Sequence, residues 1–158
     1  MVKFIINSML GSLARKLRIF GYDALYDRHY IDSNIIEIAR SEARIILTSD
    51  KELHKMAKSK GTNSLLVSDG NDEERVIFVF RSLGLTPELD PKKSRCPLCN
   101  NEIRVINKAE INKNIPENII NKYKEFYICL KCGQTYWIGS HWDKIKKLSG
   151  KVKKKLQV

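Results

Sequence analysis

Apolar residues fall into short runs and helical stripes that alternate along the first half of the chain. Residues 3–7 (Lys-Phe-Ile-Ile-Asn) form an apolar run that predicts a short buried strand. Over residues 9–20, Leu10, Leu13, Ala14 and Leu17 recur at i, i+3, i+4 and i+7, which predicts a helix, and Gly21 ends it. Gly11, Arg15 and Arg18 share another face of that helix. Residues 22–26 predict a weaker second strand. Asp32 or Ser33 can cap a second helix with Ile35, Ile36, Ile38 and Ala39 as its apolar positions. Residues 44–48 (Arg-Ile-Ile-Leu-Thr) read as a third strand, apolar on both faces. Ser49-Asp50-Lys51-Glu52 has the capping-box pattern and opens a third helix through Lys60, stopped by Gly61. A fourth strand is expected over 63–68. A fourth helix is expected over 72–83, with Val76, Ile77, Val79 and Phe80 inside.

The order βαβαβαβα predicts an α/β fold, a parallel sheet with helices on its faces. Residues 86–95 carry two prolines and no periodicity, so a linker is expected there, after a first domain at 1–85. Residues 96–142 read as a small β-rich module with a strand near 123–128. Residues 143–158 read as a basic lysine-rich tail, in which Ile145, Leu148, Val152 and Leu156 have nearly helical spacing interrupted by Gly150.

Charge sharpens this division. The 158 residues carry a formal net charge of +11. Residues 1–90 hold 13 basic and 13 acidic side chains, whereas residues 91–158 hold 16 and 5, so the whole surplus lies in the second part. A clustered surplus points to a polyanionic partner, most simply nucleic acid. No apolar run reaches the roughly 18 residues of a membrane span, and no partner membrane is expected. Residues 1–7 lack the h-region of a secretory signal, which leads to the expectation of a cytoplasmic protein.

All four cysteines lie in the basic part, as Cys96-Pro-Leu-Cys99 and Cys129-Leu-Lys-Cys132. Two such knuckles supply the four thiolates of a closed tetrahedral site, the geometry of structural Zn²⁺. Disulfides or redox chemistry are the competing reading, disfavoured by the missing secretory signal. Asn100 and Gly133 follow the knuckles and tolerate the left-handed backbone such turns need.

In open parallel sheets, ligands bind beyond the carboxyl ends of the strands. Asn7, Asp32 and Asp50 are placed there by the strand order, and Asp69 and Asp72 follow the fourth strand. Acids that converge at such an edge can hold Mg²⁺ or Mn²⁺, which prefer oxygen ligands. The same residues also suit plain helix starts: Asp32 as an N-cap, Asp50 in a first turn, and Asp69-Gly-Asn-Asp72 as a turn with a cap.

The stretch Phe4-Ile-Ile-Asn-Ser-Met-Leu-Gly-Ser-Leu-Ala-Arg-Lys-Leu-Arg-Ile-Phe-Gly-Tyr-Asp23 resembles the start of the Mut-seven C-terminal RNase domain, a branch of the PIN-like nucleases. Ile45-Ile-Leu-Thr-Ser-Asp50 is similar to that family's strand ending in Thr-x-Asp. The cysteine knuckles with Phe126-Tyr-Ile and Tyr136-Trp-Ile-Gly-Ser-His-Trp142 resemble its appended zinc ribbon. The resemblance covers residues 3–142. It implies a PIN-like three-layer domain with a small C-terminal zinc ribbon, structural Zn²⁺, catalytic Mg²⁺ or Mn²⁺, and endoribonuclease chemistry on RNA, with a ribosome or tRNA as further candidate partners. Carried over position by position, the catalytic acids fall on Asn7, Asp32 and Asp50. Asn7 departs from the pattern and brings no negative charge. Either it is an engineered Asp→Asn change that traps an uncleaved complex, or the chain is a weakened or inactive natural member. Both imply impaired catalysis.

Arg15 and Arg18 match basic positions of the family's first helix and are candidate phosphate contacts, or else a solvated or acid-paired face. Lys131, Tyr136, Trp137, His141 and Trp142 are candidate RNA contacts on the ribbon; the aromatics could equally form its small core. A non-catalytic RNA- or ribosome-binding protein that kept the fold is the competing functional class. A DNA-binding ribbon protein is a third.

Overall fold

The computed structural model describes residues 1–111 and 114–157. Four parallel strands form the larger sheet: β1 (Lys3–Ile6), β2 (Asp23–Tyr26), β3 (Ile45–Thr48) and β4 (Ser64–Leu66), in the order β2-β1-β3-β4. Strand β1 pairs with β2 from Lys3 opposite Asp23 to Ile6 opposite Tyr26, and with β3 from Phe4 opposite Ile45 to Ile6 opposite Leu47.

Strand alternation sorts the core into two layers. Phe4, Ile6 and Leu47 point to one face, against α1 (Gly11–Ile19), α4 (Asp72–Leu83) and α6 (Ser140–Leu156). Ile5 and Ile46 point to the other, against Ile35, Ile36 and Ala39 of α2 (Asp32–Ser41) and Leu53 and Ala57 of α3 (Lys51–Ser59). The result is a three-layer α/β unit, as the alternating pattern predicts. Gly11 opens α1 against Tyr26, where a Cβ would lie 2.9 Å from the phenol oxygen. That hydroxyl donates to the Ser8 carbonyl at 2.8 Å, so β2 and the start of α1 are held together.

The second sheet is antiparallel, β5 (Ile103–Ile106), β6 (Phe126–Cys129) and β7 (Thr135–Trp137). Between β5 and β6 the chain makes an excursion with a short helix, α5 (Glu117–Lys122).

Three expectations change. The lysine-rich segment 143–158 does not stand apart as a tail: its described residues lie mostly in α6, which runs through Gly150. A Cβ at Gly150 would meet nothing within 4 Å, so the glycine faces open space and costs only helix propensity, roughly 1 kcal/mol. Ile145, Leu148 and Val152 are buried in the same core as α1 and α4. Second, the cap of α3 is Asp50 rather than Ser49. Third, α2 has Ile31 at its N-cap without a side-chain bond, and Asp32 is the first helical residue.

The segment 86–95 has no regular element but is pinned along its length. Tyr22 donates its hydroxyl to the Thr86 carbonyl at 3.1 Å, Ser149 to Pro87 at 2.6 Å, and Ser94 to Ile19 at 2.6 Å. Among the described residues no helix is long and apolar enough to cross a membrane.

Candidate metal centres and nucleic-acid surface

The two cysteine knuckles have the same local build. In the first, the Asn100 N–H bonds the Cys96 carbonyl at 2.8 Å and the Cys96 N–H bonds the Asn101 carbonyl at 2.7 Å. In the second, Gly133 bonds Cys129 at 2.9 Å and Cys129 bonds Gln134 at 3.0 Å. Asn100 and Gly133 occupy the left-handed region, at φ 70° and 76°. Each turn therefore aims both of its sulfurs to the same side.

All four Sγ atoms lie within 4.8 Å of one another. Cys96 to Cys132 is 3.6 Å and Cys99 to Cys129 is 3.3 Å. Thiolates on one tetrahedral ion at ~2.3 Å per bond stand at similar separations, whereas a disulfide needs ~2.05 Å. All four cysteines are free. The set can hold a metal ion such as zinc, and the disulfide alternative has no geometry to support it. Tyr136 adds its hydroxyl 2.9 Å from Cys96 Sγ. His141, exposed in the first turn of α6, is outside the cluster.

The first knuckle is docked on the edge strand of the large sheet. Asn100 Oδ1 accepts the Ala24 N–H at 3.0 Å, and its Nδ2 donates to Asp23 at 2.7 Å. Arg18 donates from Nε to the Ala24 carbonyl at 2.8 Å and from Nη1 to Pro97 at 2.7 Å. Arg44 forms a bidentate pair with Asp23 at 2.7 and 3.2 Å. Burial works to raise the pKa of Asp23, but hydrogen bonds from Arg44 and Asn100 outweigh it and hold the carboxyl below its usual range.

Arg18 is thereby corrected as a candidate RNA contact. It is 4% exposed, both its bonds are to backbone carbonyls, and burial lowers its pKa. Spacing on α1 could not reveal this, because the group that covers Arg18 comes from Pro97, far along the chain. Arg15 is exposed on the same helix. Asn100 and Asp23 were missed as linking residues. An asparagine where a glycine would serve the turn was the available signal.

At the carboxyl edge of the large sheet, the chain leaves β1 through α1 to β2 on one side. It returns through α2 to β3 on the other, so the winding direction changes between β1 and β3. Asn7 is one residue past the paired Ile6 and Leu47, and its N–H extends the ladder to the Leu47 carbonyl at 3.0 Å. It is 7% exposed, and its Oδ1 accepts the Met9 N–H at 3.3 Å. Asp50 follows β3, its N–H bonded to Thr48 Oγ1 at 3.0 Å. Its Oδ1 accepts the Glu52 and Leu53 N–H groups at 2.9 and 3.3 Å. Asp32 opens α2 beyond β2 and is half-buried.

Asp72 turns elsewhere, to α1. It accepts the Ser12 hydroxyl at 2.7 Å, which lowers its pKa, and stands 3.6 Å from Lys16 Nζ. Among the described residues, no three carboxylates gather as the cysteines do, so Asp69 and Asp72 do not complete a cluster of acids with Asp32 and Asp50. Tyr136, Trp137, His141 and Trp142 meet where the ribbon sheet abuts α6, and Lys131 is exposed on the second knuckle.

The model of the Mut7-C RNAse domain matches residues 2–149. The curated human protein described as exonuclease mut-7 homolog is 32% identical over 101 residues, which are 62% of this chain and 12% of that protein. No solved structure matches the chain. With the match running from β1 through the ribbon and into α6, the chain belongs to the Mut7-C RNAse domain family.

Proposed function

We propose that the chain is a metal-dependent endoribonuclease of the PIN-like kind, weakened by Asn7, in which a zinc ribbon and α6 hold the RNA. The observation that carries this is the position of Asn7 and Asp50 past the ends of the adjacent parallel strands β1 and β3, at the winding switch, in a chain of an RNAse family.

The donors suit a hard cation. Asp32 and Asp50 offer carboxylates and Asn7 a neutral carbonyl, all oxygen, whereas the four thiolates suit zinc. Mg²⁺ or Mn²⁺ held by Asp32, Asp50 and Asn7 would act as a Lewis acid toward water and offset charge on the phosphodiester. Asp50 Oδ1 is engaged by two helix N–H groups, which fixes the carboxylate and leaves Oδ2 for a ligand. Asn7 Oδ1 is oriented by Met9 in the same way but contributes no charge. Arg15 and the lysines of α6 and Lys131 would supply phosphate contacts.

Mn²⁺ binding measured by titration calorimetry tests the site. Asn7→Asp is expected to bind Mn²⁺ more tightly than the present chain, and Asp50→Asn in that background to bind it more weakly. Unchanged affinity in both would remove the oxygen site. The second reading, an RNA- or ribosome-binding protein without catalysis, is favoured by the neutral Asn7. It predicts RNA binding indifferent to Asp32 and Asp50.

A further inference from the structure

We propose that the cavity between the ribbon sheet and α6 binds one unpaired nucleobase of a single-stranded RNA. The proposal rests on the RNA-binding part of the function above and not on its catalysis.

The cavity measures about 270 Å³. That is just below the roughly 300–1,000 Å³ of sites for drug-sized ligands, which suits one flat ring system and excludes a base pair. Its walls include four aromatic side chains, Tyr127, Tyr136, Trp137 and Trp142. Tyr127 is buried and Tyr136 is held by Cys96 at 2.9 Å, so these walls are rigid. Trp137 is backed by Phe126, ring centres 6.2 Å apart, and by Tyr123 at 6.4 Å.

Polar groups at the rim give such a pocket something to read. Gln134 and His141 line it, both are exposed, and neither side chain is hydrogen-bonded within the described residues. An amide and an imidazole can meet the donor and acceptor edge of a base.

Charge selects the occupant. Helix α6 starts at the cavity with His141 and Trp142 and continues with seven lysines against one aspartate. Lys144, Lys146 and Lys147 are exposed along its first half. An apolar peptide would gain nothing from this row, whereas a strand whose base enters the cavity would lay its phosphates along it.

The molecule has two tryptophans, and both line this cavity. Tryptophan emission therefore reports on this site alone. In the zinc-loaded 158-residue chain without Mg²⁺ or Mn²⁺, a short oligoadenylate should quench it saturably, and adenosine monophosphate should do so more weakly. An abasic oligomer of the same length, with the same phosphates, should bind roughly tenfold more weakly or worse and leave the emission unchanged. His141→Ala and Gln134→Ala, both at exposed positions, should weaken the quenching without moving the melting temperature. Equal binding of the abasic oligomer, or oligoadenylate binding with unchanged emission, would overturn the base pocket while leaving RNA binding in place. Absence of any RNA binding would overturn both readings.

Discussion

The side-chain oxygen of Asn100 accepts the backbone N–H of Ala24 at 3.0 Å. Asn100 closes the first cysteine knuckle, and Ala24 lies in β2, the edge strand of the parallel sheet. The cysteine turn thus supplies the hydrogen bond that a further strand would have made. Its amide nitrogen completes the link by donating to Asp23.

Asn100→Gly keeps the left-handed turn and removes only these bonds. The Ala24 N–H is buried, so the substitution should cost about 1–3 kcal/mol of unfolding free energy. Chemical denaturation of the zinc-loaded protein measures this. A loss near zero would mean that the knuckle merely touches the sheet.

Asp50 has two separable tasks, and two substitutions divide them. Asparagine caps helices as well as aspartate does, whereas alanine does not. Asp50→Ala should therefore lose about 1 kcal/mol in thermal unfolding, and Asp50→Asn close to none. Both should lose Mn²⁺ affinity in the Asn7→Asp background. Mn²⁺ affinity kept in Asp50→Asn and lost only together with stability in Asp50→Ala would show that the residue is only a cap.

The Asp23 carboxyl, held low by Arg44 and Asn100, makes the interface acid-sensitive. A depressed folded-state pKa means that its contribution is complete above the ordinary carboxylate value of about 4 and is lost as pH falls through the lower folded value. Asp23→Asn should be less stable than the parent at neutral pH, and the gap should close in the acid limb below about pH 4. Denaturant midpoints across that range check the sign.

Much of the parallel unit was legible because its strands are buried and its helices have one apolar stripe each. Phe4-Ile-Ile and Ile45-Ile-Leu can scarcely be anything but interior, and the alternation of Ile5 with Phe4 and Ile6 between two cores follows from strand geometry. The twin knuckles were legible because their spacing is itself the chemistry. The role of α6 was obscured by its lysines and by Gly150. The stripe of Ile145, Leu148 and Val152 was visible, but its partner, the α1–α4 face, was not. Arg18 was misread for the same reason: burial by a distant segment leaves no local mark. At the carboxyl edge, position along the chain locates Asn7, Asp32 and Asp50 at strand and helix junctions. It does not tell a cap from a ligand, and Asp50 Oδ1 is in fact a cap.

Cleavage of a single-stranded RNA by the Asn7→Asp protein with Mn²⁺ tests the nuclease reading most directly. The restored chain is expected to cleave internally in a metal-dependent way, well above the present one, and to lose that cleavage when Asp50→Asn is added. No cleavage by the restored chain, indistinguishable from the doubly substituted protein, would contradict the account and leave an RNA-binding module without catalysis.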